Sequence, residues 1–168
     1  MKILYSFAGN ICSGKTSVAK ILSEKHQIKC YSIDEYRIFY NATNFYREWQ
    51  AWEKLKSDII KEDKAILESS GLSENLTEIY KKFDKVIVIL LKCSESILIQ
   101  RAKIRMNEKT SDIPFYLSSQ KKPVECQIIE MEFRLMTIVY DYAYDTGNSS
   151  PFAIAEQISN NIFLKPEA

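Results

Sequence analysis

The order of residues predicts an α/β protein: a parallel sheet with helices on both faces. Three observations carry that expectation. Short apolar runs alternate with amphipathic stretches along the whole chain, the pattern of βα units. The most apolar run, Lys85 to Leu91, holds Val86, Ile87, Val88 and Ile89 in succession, which suits a strand covered on both faces. A glycine-bounded turn, Gly9 to Thr16, joins the first apolar run to the first amphipathic one.

Taken in order, Ile3 to Phe7 reads as a buried strand, and Thr16 to Lys25 as a helix with Val18, Ile21 and Leu22 at helical spacing. Ile28 to Ile33 is a second strand. Phe45 to Lys61 is a long helix, with Trp49, Trp52, Leu55, Ile59 and Ile60 along one side. Its aromatic stripe, Phe45, Tyr46, Trp49 and Trp52, reads as core packing, with stacking on a ligand ring as the alternative. Lys64 to Glu68 is a third strand, ended by Ser69-Ser70-Gly71, and Ser73 to Lys82 a helix. Lys85 to Leu91 is the fourth strand, and Ser94 to Arg105 a helix that Ser94 is placed to cap. Met106 to Lys122 is polar, with Pro114 and Pro123 bracketing Phe115 and Tyr116, and reads as a loop or lid. Val124 to Tyr140 is helical, Tyr142 to Thr146 a last strand and Pro151 to Phe163 a last helix.

The chain of 168 residues falls within the size of one domain, and its 46% apolar and 27% charged content is that of a globular protein. Lys plus Arg number 23 against 22 Asp plus Glu, so a net charge of +1 gives no global pull towards nucleic acid or membrane. Cys12, Cys30, Cys93 and Cys126 form no CxxC pair, and with His26 the single histidine they form no zinc-type spacing. They read as reduced thiols of a reducing compartment. Met1 to Ala8 lacks the features of a signal peptide, and no apolar run approaches the ~20 residues that span a bilayer. The expected location is the cytoplasm.

Gly9-Asn10-Ile11-Cys12-Ser13-Gly14-Lys15-Thr16 fits G-x-x-x-x-G-K-[ST], with a strand before it and a helix after it. Gly9 and Gly14 permit the dihedrals that turn successive N–H groups inward. Those N–H groups, from Gly9 through Ser17, together with the helix N-terminus, hold phosphates. Lys15 reaches the β- and γ-phosphates, and the Thr16 hydroxyl can ligate Mg²⁺. The chain has no D-x-x-G and no N-K-x-D, which excludes a Ras-like GTPase and leaves a compact kinase or a nucleotide-binding regulator.

With Ser32-Ile33-Asp34-Glu35-Tyr36-Arg37 after the second strand and Arg101-x-x-x-Arg105 before the lid, the chain resembles the small P-loop kinases. That superfamily includes nucleoside monophosphate kinases, polynucleotide 5′-hydroxyl kinases, adenylylsulfate kinase and zeta-toxin-like kinases. The resemblance implies a parallel sheet in the order 2-3-1-4-5, ATP with Mg²⁺, and a lid that closes over the phosphates. It implies that Asp34 orients or deprotonates the attacking hydroxyl, and that Arg37, completing D-x-x-R, binds a phosphate of the acceptor. The alternative readings are a helix cap for Asp34 and a surface residue for Arg37. Arg101 and Arg105, four apart on one helix face, match arginines that neutralise the transferring phosphoryl, with a solvated helix face as the alternative. Glu68 stands where nucleoside monophosphate kinases often carry an Asp that orders Mg²⁺-bound water. Adenylate kinases continue there with Asp-Gly-Phe-Pro-Arg, and Glu68-Ser69-Ser70-Gly71 departs from that.

The expectation is therefore an ATP- and Mg²⁺-dependent kinase with a small-molecule acceptor: a nucleoside, a nucleotide or a similar metabolite. A polynucleotide 5′-hydroxyl stands second because the balanced charge offers no basic face. A non-catalytic nucleotide-binding regulator is a third reading, which Asp34 and the paired arginines oppose.

Overall fold

The computed structural model describes residues 1–107 and 122–164. Five strands form one all-parallel sheet: β1 (Ile3–Gly9), β2 (Lys29–Ser32), β3 (Lys64–Glu68), β4 (Lys85–Lys92) and β5 (Tyr142–Asp145). Their spatial order is β2-β3-β1-β4-β5, as expected. The helices are α1 (Lys15–His26), α2 (Ile33–Tyr40), α3 (Phe45–Ile59), α4 (Asn75–Tyr80), α5 (Glu95–Asn107), α6 (Val124–Leu135) and α7 (Pro151–Ile158). A π-helical turn, Ser159–Phe163, continues α7.

Strand β1 lies at the centre and is buried along its whole length. Its alternation feeds the two faces of the sheet. Ile3, Tyr5 and Phe7 pack with Val18, Ala19 and Leu22 of α1 and Ile154 and Ile158 of α7. On the other face Leu4 joins Leu67, Trp52, Leu55 and Ile59 beneath α3 and α4, and Ala8 joins Leu98, Ala102, Ile128 and Met131 beneath α5 and α6. Burying both faces is what lets a parallel strand read as a continuous apolar run.

Register brings the strand ends together. Phe7 pairs with Glu68 on one side and Ile89 on the other, and Ser32 pairs with Glu68. The carboxyl ends of the strands thus open onto one edge, where ligands of open α/β sheets bind.

The structure corrects several boundaries. A separate helix, α2, follows β2 directly. Helix α6 stops at Leu135 rather than Tyr140: the β-branched run Thr137-Ile138-Val139 is a poor helix former, and Asp141 is already tied to β4 through Asp141 N to Val88 O at 2.9 Å. The aromatic stripe of α3 is mostly not core. Trp52 is 3% exposed, but Phe45, Tyr46 and Trp49 are 88%, 63% and 49% exposed. The expected lid lies, apart from Met106, Asn107 and Lys122, outside the described residues. No helix among the described residues is long and apolar enough to cross a membrane.

Candidate nucleotide and acceptor site

The turn between β1 and α1 is held by backbone geometry that few residues adopt. Gly9 has φ 149°, and a Cβ there would lie 2.6 Å from Leu91 O and 2.8 Å from Ser13 Oγ. Gly14, at φ 90°, opens α1. Cys12 holds the left-handed conformation at φ 59° without being glycine. The side chains of Asn10, Ile11 and Ser13 are buried, and the N–H groups of Ile11 and Ser13 are donated within the loop, to Asn10 Oδ1 and Asn10 O, so what the turn can offer an anion is the N–H groups at its α1 end.

Asn10 ties the loop to α6. Its Nδ2 donates to Ile128 O at 2.9 Å and to Glu132 Oε1 at 2.7 Å, while its Oδ1 accepts from Ile11 N at 2.7 Å. A second strap comes from the loop after β5. Thr146 Oγ1 donates to Ser13 O at 2.8 Å, with Lys92 O also within reach at 3.1 Å. Arg101 completes this strap, giving Nη2 to Thr146 O at 2.7 Å and Nη1 to Cys12 O at 3.3 Å.

Two adjoining cavities open on this loop. The larger, about 570 Å³, is lined on one side by Asp34, Arg37 and Ile38 of α2 and on the other by Met131 and Arg134 of α6. The smaller, about 370 Å³, is bounded by Gly14, Arg101, Ile104, Thr146, Ser149 and Pro151. Lys15, Thr16, Ser17, Cys12 and Arg105 line both, and so form the boundary between them. Glu68 and Ser32 line the larger one only, joined by a hydrogen bond from Ser32 Oγ to Glu68 Oε2 at 2.5 Å.

Lys15 Nζ donates to Asn10 O at 2.7 Å. Burial pushes its ammonium below the ordinary lysine value, while the nearby Glu68 and Asp34 carboxylates pull it back up. Asp34 is not the cap of α2. Ser32 holds that position, and Asp34 lies inside the first turn, where the helix dipole favours a carboxylate. Arg37 gives Nη1 to Asp34 Oδ1 at 3.0 Å, but its Nε and Nη2 go to Glu48 of α3. The arginine expected to read an acceptor phosphate thus already carries two carboxylates.

Of the paired arginines, Arg101 is spent on backbone carbonyls, whereas Arg105 has no ion pair or side-chain hydrogen bond among the described residues and faces both cavities. Arg134, across the larger cavity, is likewise without an ion pair among the described residues. Arg134, Met131 and Glu48 were not singled out in the sequence. They lie on helices with no motif, and only the fold brings them to the site.

The donors suit a hard cation. Thr16 offers a hydroxyl and Glu68 a carboxylate to one cavity, the oxygen set that Mg²⁺ takes when phosphates and water complete its shell. Among the described residues no group of three or more His, Cys, Asp or Glu side chains forms an all-protein metal cage.

No protein-family model matches this sequence, and no curated protein matches it. Its likeness to solved structures is in fold. Shikimate kinase from Bacteroides thetaiotaomicron superposes with a TM-score of 0.68 at 11% identity, covering 96% of this chain and 99% of that one. Shikimate kinase from Acinetobacter baumannii, solved in complex with shikimate, gives 0.64 at 16% identity over 96% of each chain. A gluconokinase from Sinorhizobium meliloti gives 0.62 at 13% identity over 99% of this chain and 97% of that one. The five-stranded parallel sheet in the order β2-β3-β1-β4-β5 and these superpositions show that the chain shares the fold of these kinases.

Proposed function

We propose that the protein is an ATP-dependent phosphotransferase that moves the γ-phosphoryl group to a hydroxyl of a small acceptor. The observation that carries this reading is the shared boundary of the two cavities: Lys15, Thr16 and Arg105 face both, while Asp34 faces only the larger. Nucleotide in the smaller cavity, with its phosphates along the loop, would present its terminal phosphorus at that boundary. An acceptor in the larger cavity would meet it there. The neighbours named for shikimate and gluconate support a small-molecule acceptor.

The acceptor oxygen attacks the γ-phosphorus, the bond to the β–γ bridging oxygen breaks, and ADP leaves. The acceptor proton passes to Asp34 Oδ. Little covalent help is needed, so Asp34 mainly positions the nucleophile. Lys15 and the loop N–H groups bind the phosphates. Arg105, paired with no carboxylate among the described residues, supports charge on the transferring group. Thr16 and Glu68 would hold Mg²⁺, which when bound neutralises phosphate charge. Arg134 offers a guanidinium to an anionic group of the acceptor on the α6 side. Arg101 fixes the loop that borders the nucleotide.

The test is a screen of small hydroxyl-bearing acceptors with γ-labelled ATP, run on wild type, Lys15→Ala and Asp34→Asn. Asp34→Asn should keep ATP affinity within a few-fold and lose about 10²-fold or more in transfer, as removal of a general base does. Transfer by folded Lys15→Ala at the wild-type rate would sink the reading.

A further inference from the structure

Arg37 divides its donor nitrogens unequally. Nη1 serves Asp34 Oδ1 at 3.0 Å. Nε lies 3.0 Å from each oxygen of Glu48, and Nη2 reaches Glu48 Oε1 at 2.6 Å. The Nε/Nη2 edge is one of the paired-donor edges with which a guanidinium grips a phosphate or carboxylate. Here it faces α3. Glu48 is itself held, because Trp52 Nε1 donates to its Oε1 at 3.0 Å. The pair is well screened from water, with side-chain exposures of 19% for Arg37 and 31% for Glu48. Arg37 lines the larger cavity and Glu48 stands behind it. One guanidinium here faces two carboxylates.

We propose that Glu48 determines acceptor specificity: by holding a paired-donor edge of Arg37, it closes the α2 corner of the cavity to phosphate and leaves it to an uncharged, hydroxyl-bearing part of the acceptor. The inference rests on the reading of the larger cavity as the acceptor chamber. It reverses the role that D-x-x-R suggests from sequence. An incoming phosphate would have to displace Glu48, strand a carboxylate beside Trp52 and sit next to Asp34. A hydroxyl needs none of this and finds Asp34 as its acceptor.

Glu48→Gln removes the charge and keeps the side-chain shape. Protein saturated with Mg²⁺ and a non-hydrolysable ATP analogue, so that the phosphate loop is filled, is titrated with ribose 5-phosphate by calorimetry. Wild type is expected to bind it weakly. Glu48→Gln is expected to gain about tenfold or more in affinity, the effect of a charge-assisted phosphate contact, and Glu48→Gln/Arg37→Ala to lose that gain. Ribose in place of ribose 5-phosphate should show no gain. Glu48→Asp, which draws the carboxylate back by one methylene, should show a smaller gain by the same route and serves if the glutamine variant does not fold. Wild-type binding as tight as that of the variant, no gain in a folded variant, or a gain that survives loss of Arg37 each overturns the proposal. Failure of the analogue itself to bind defeats the functional reading, and this inference with it. Analogue binding without the gain defeats this inference alone.

Discussion

Replacing Asn10 with Ala should cost the fold about 3 kcal/mol, a figure that follows from three hydrogen bonds. Two are neutral, to Ile128 O at 2.9 Å and from Ile11 N at 2.7 Å, and the third reaches a carboxylate, Glu132 Oε1 at 2.7 Å. Neutral bonds contribute about 0.5–1.5 kcal/mol each and a bond to a charged group about 1.5–3, so the gross loss is about 2.5–6 kcal/mol. The low end applies, because Glu132 is only half-buried and regains water. Ile11 N does not, since Asn10 is 1% exposed and the alanine leaves that buried donor unpaired. For a chain of this length about 3 kcal/mol lowers Tm by about 6–12 °C. Chemical denaturation monitored by circular dichroism gives the free energy directly. A loss below about 1 kcal/mol would refute the idea that this side chain fastens the β1–α1 turn to α6. Asn10→Asp offers a second check: it keeps the acceptor for Ile11 N but sets a carboxylate against Glu132, so its penalty should shrink as pH falls and one of the pair takes up a proton.

Cys12→Gly should stabilise the protein by about 0.5–1 kcal/mol, because glycine removes the left-handed cost of about 1–2 kcal/mol at φ 59° and returns part of it as unfolded-state entropy. A lower denaturation midpoint would mean that packing of the Cys12 side chain outweighs the strain. Arg101→Ala and Arg105→Ala should separate: the first destabilises the fold by about 1 kcal/mol or more through its lost carbonyl bonds, while the second stays within about 0.5 kcal/mol of wild type and loses transfer activity. Parallel melts and turnover assays decide it, and equal stability losses would contradict the assignment of distinct roles. Iodoacetamide at pH 8 should label the exposed Cys126 first and leave Cys30 unmodified. Burial, reinforced by Glu68 and Glu35, pushes the Cys30 thiol up to about 12. Mass mapping that finds Cys30 alkylated in the native protein would count against the burial described.

The sheet was legible in the sequence because parallel strands are buried on both faces and each follows the helix that feeds it. Val86 to Ile89 and Ile3 to Phe7 have few other uses. The turn between β1 and α1 was legible because Gly9 answers to a steric demand, the approach to Leu91 O, that no other residue meets. Helix α2 was harder to find. It has only eight residues, and its cap, Ser32, spends its hydroxyl on Glu68 instead of the helix. The aromatic stripe on α3 shows another limit. Spacing gives a helix face but not what covers it, so Trp52 and Trp49, three residues apart, met different fates. Arg37 shows the same limit at the site: D-x-x-R fixes its distance from Asp34, while the competing carboxylate comes from a helix eleven residues away, which no local pattern announces.

The contrast between the two tryptophans makes the chain its own optical instrument. The Trp52 indole is shielded from solvent and donates to the same Glu48 oxygen that Arg37 Nη2 grips, so its emission depends on the electric field at the α2–α3 corner. Trp49 is half in water and within reach of iodide or acrylamide, which makes its contribution removable by collisional quenching. The remaining, unquenched fluorescence belongs to the indole beside the Arg37–Glu48 pair, and a ligand that disturbs that pair announces itself in colour and intensity without any label.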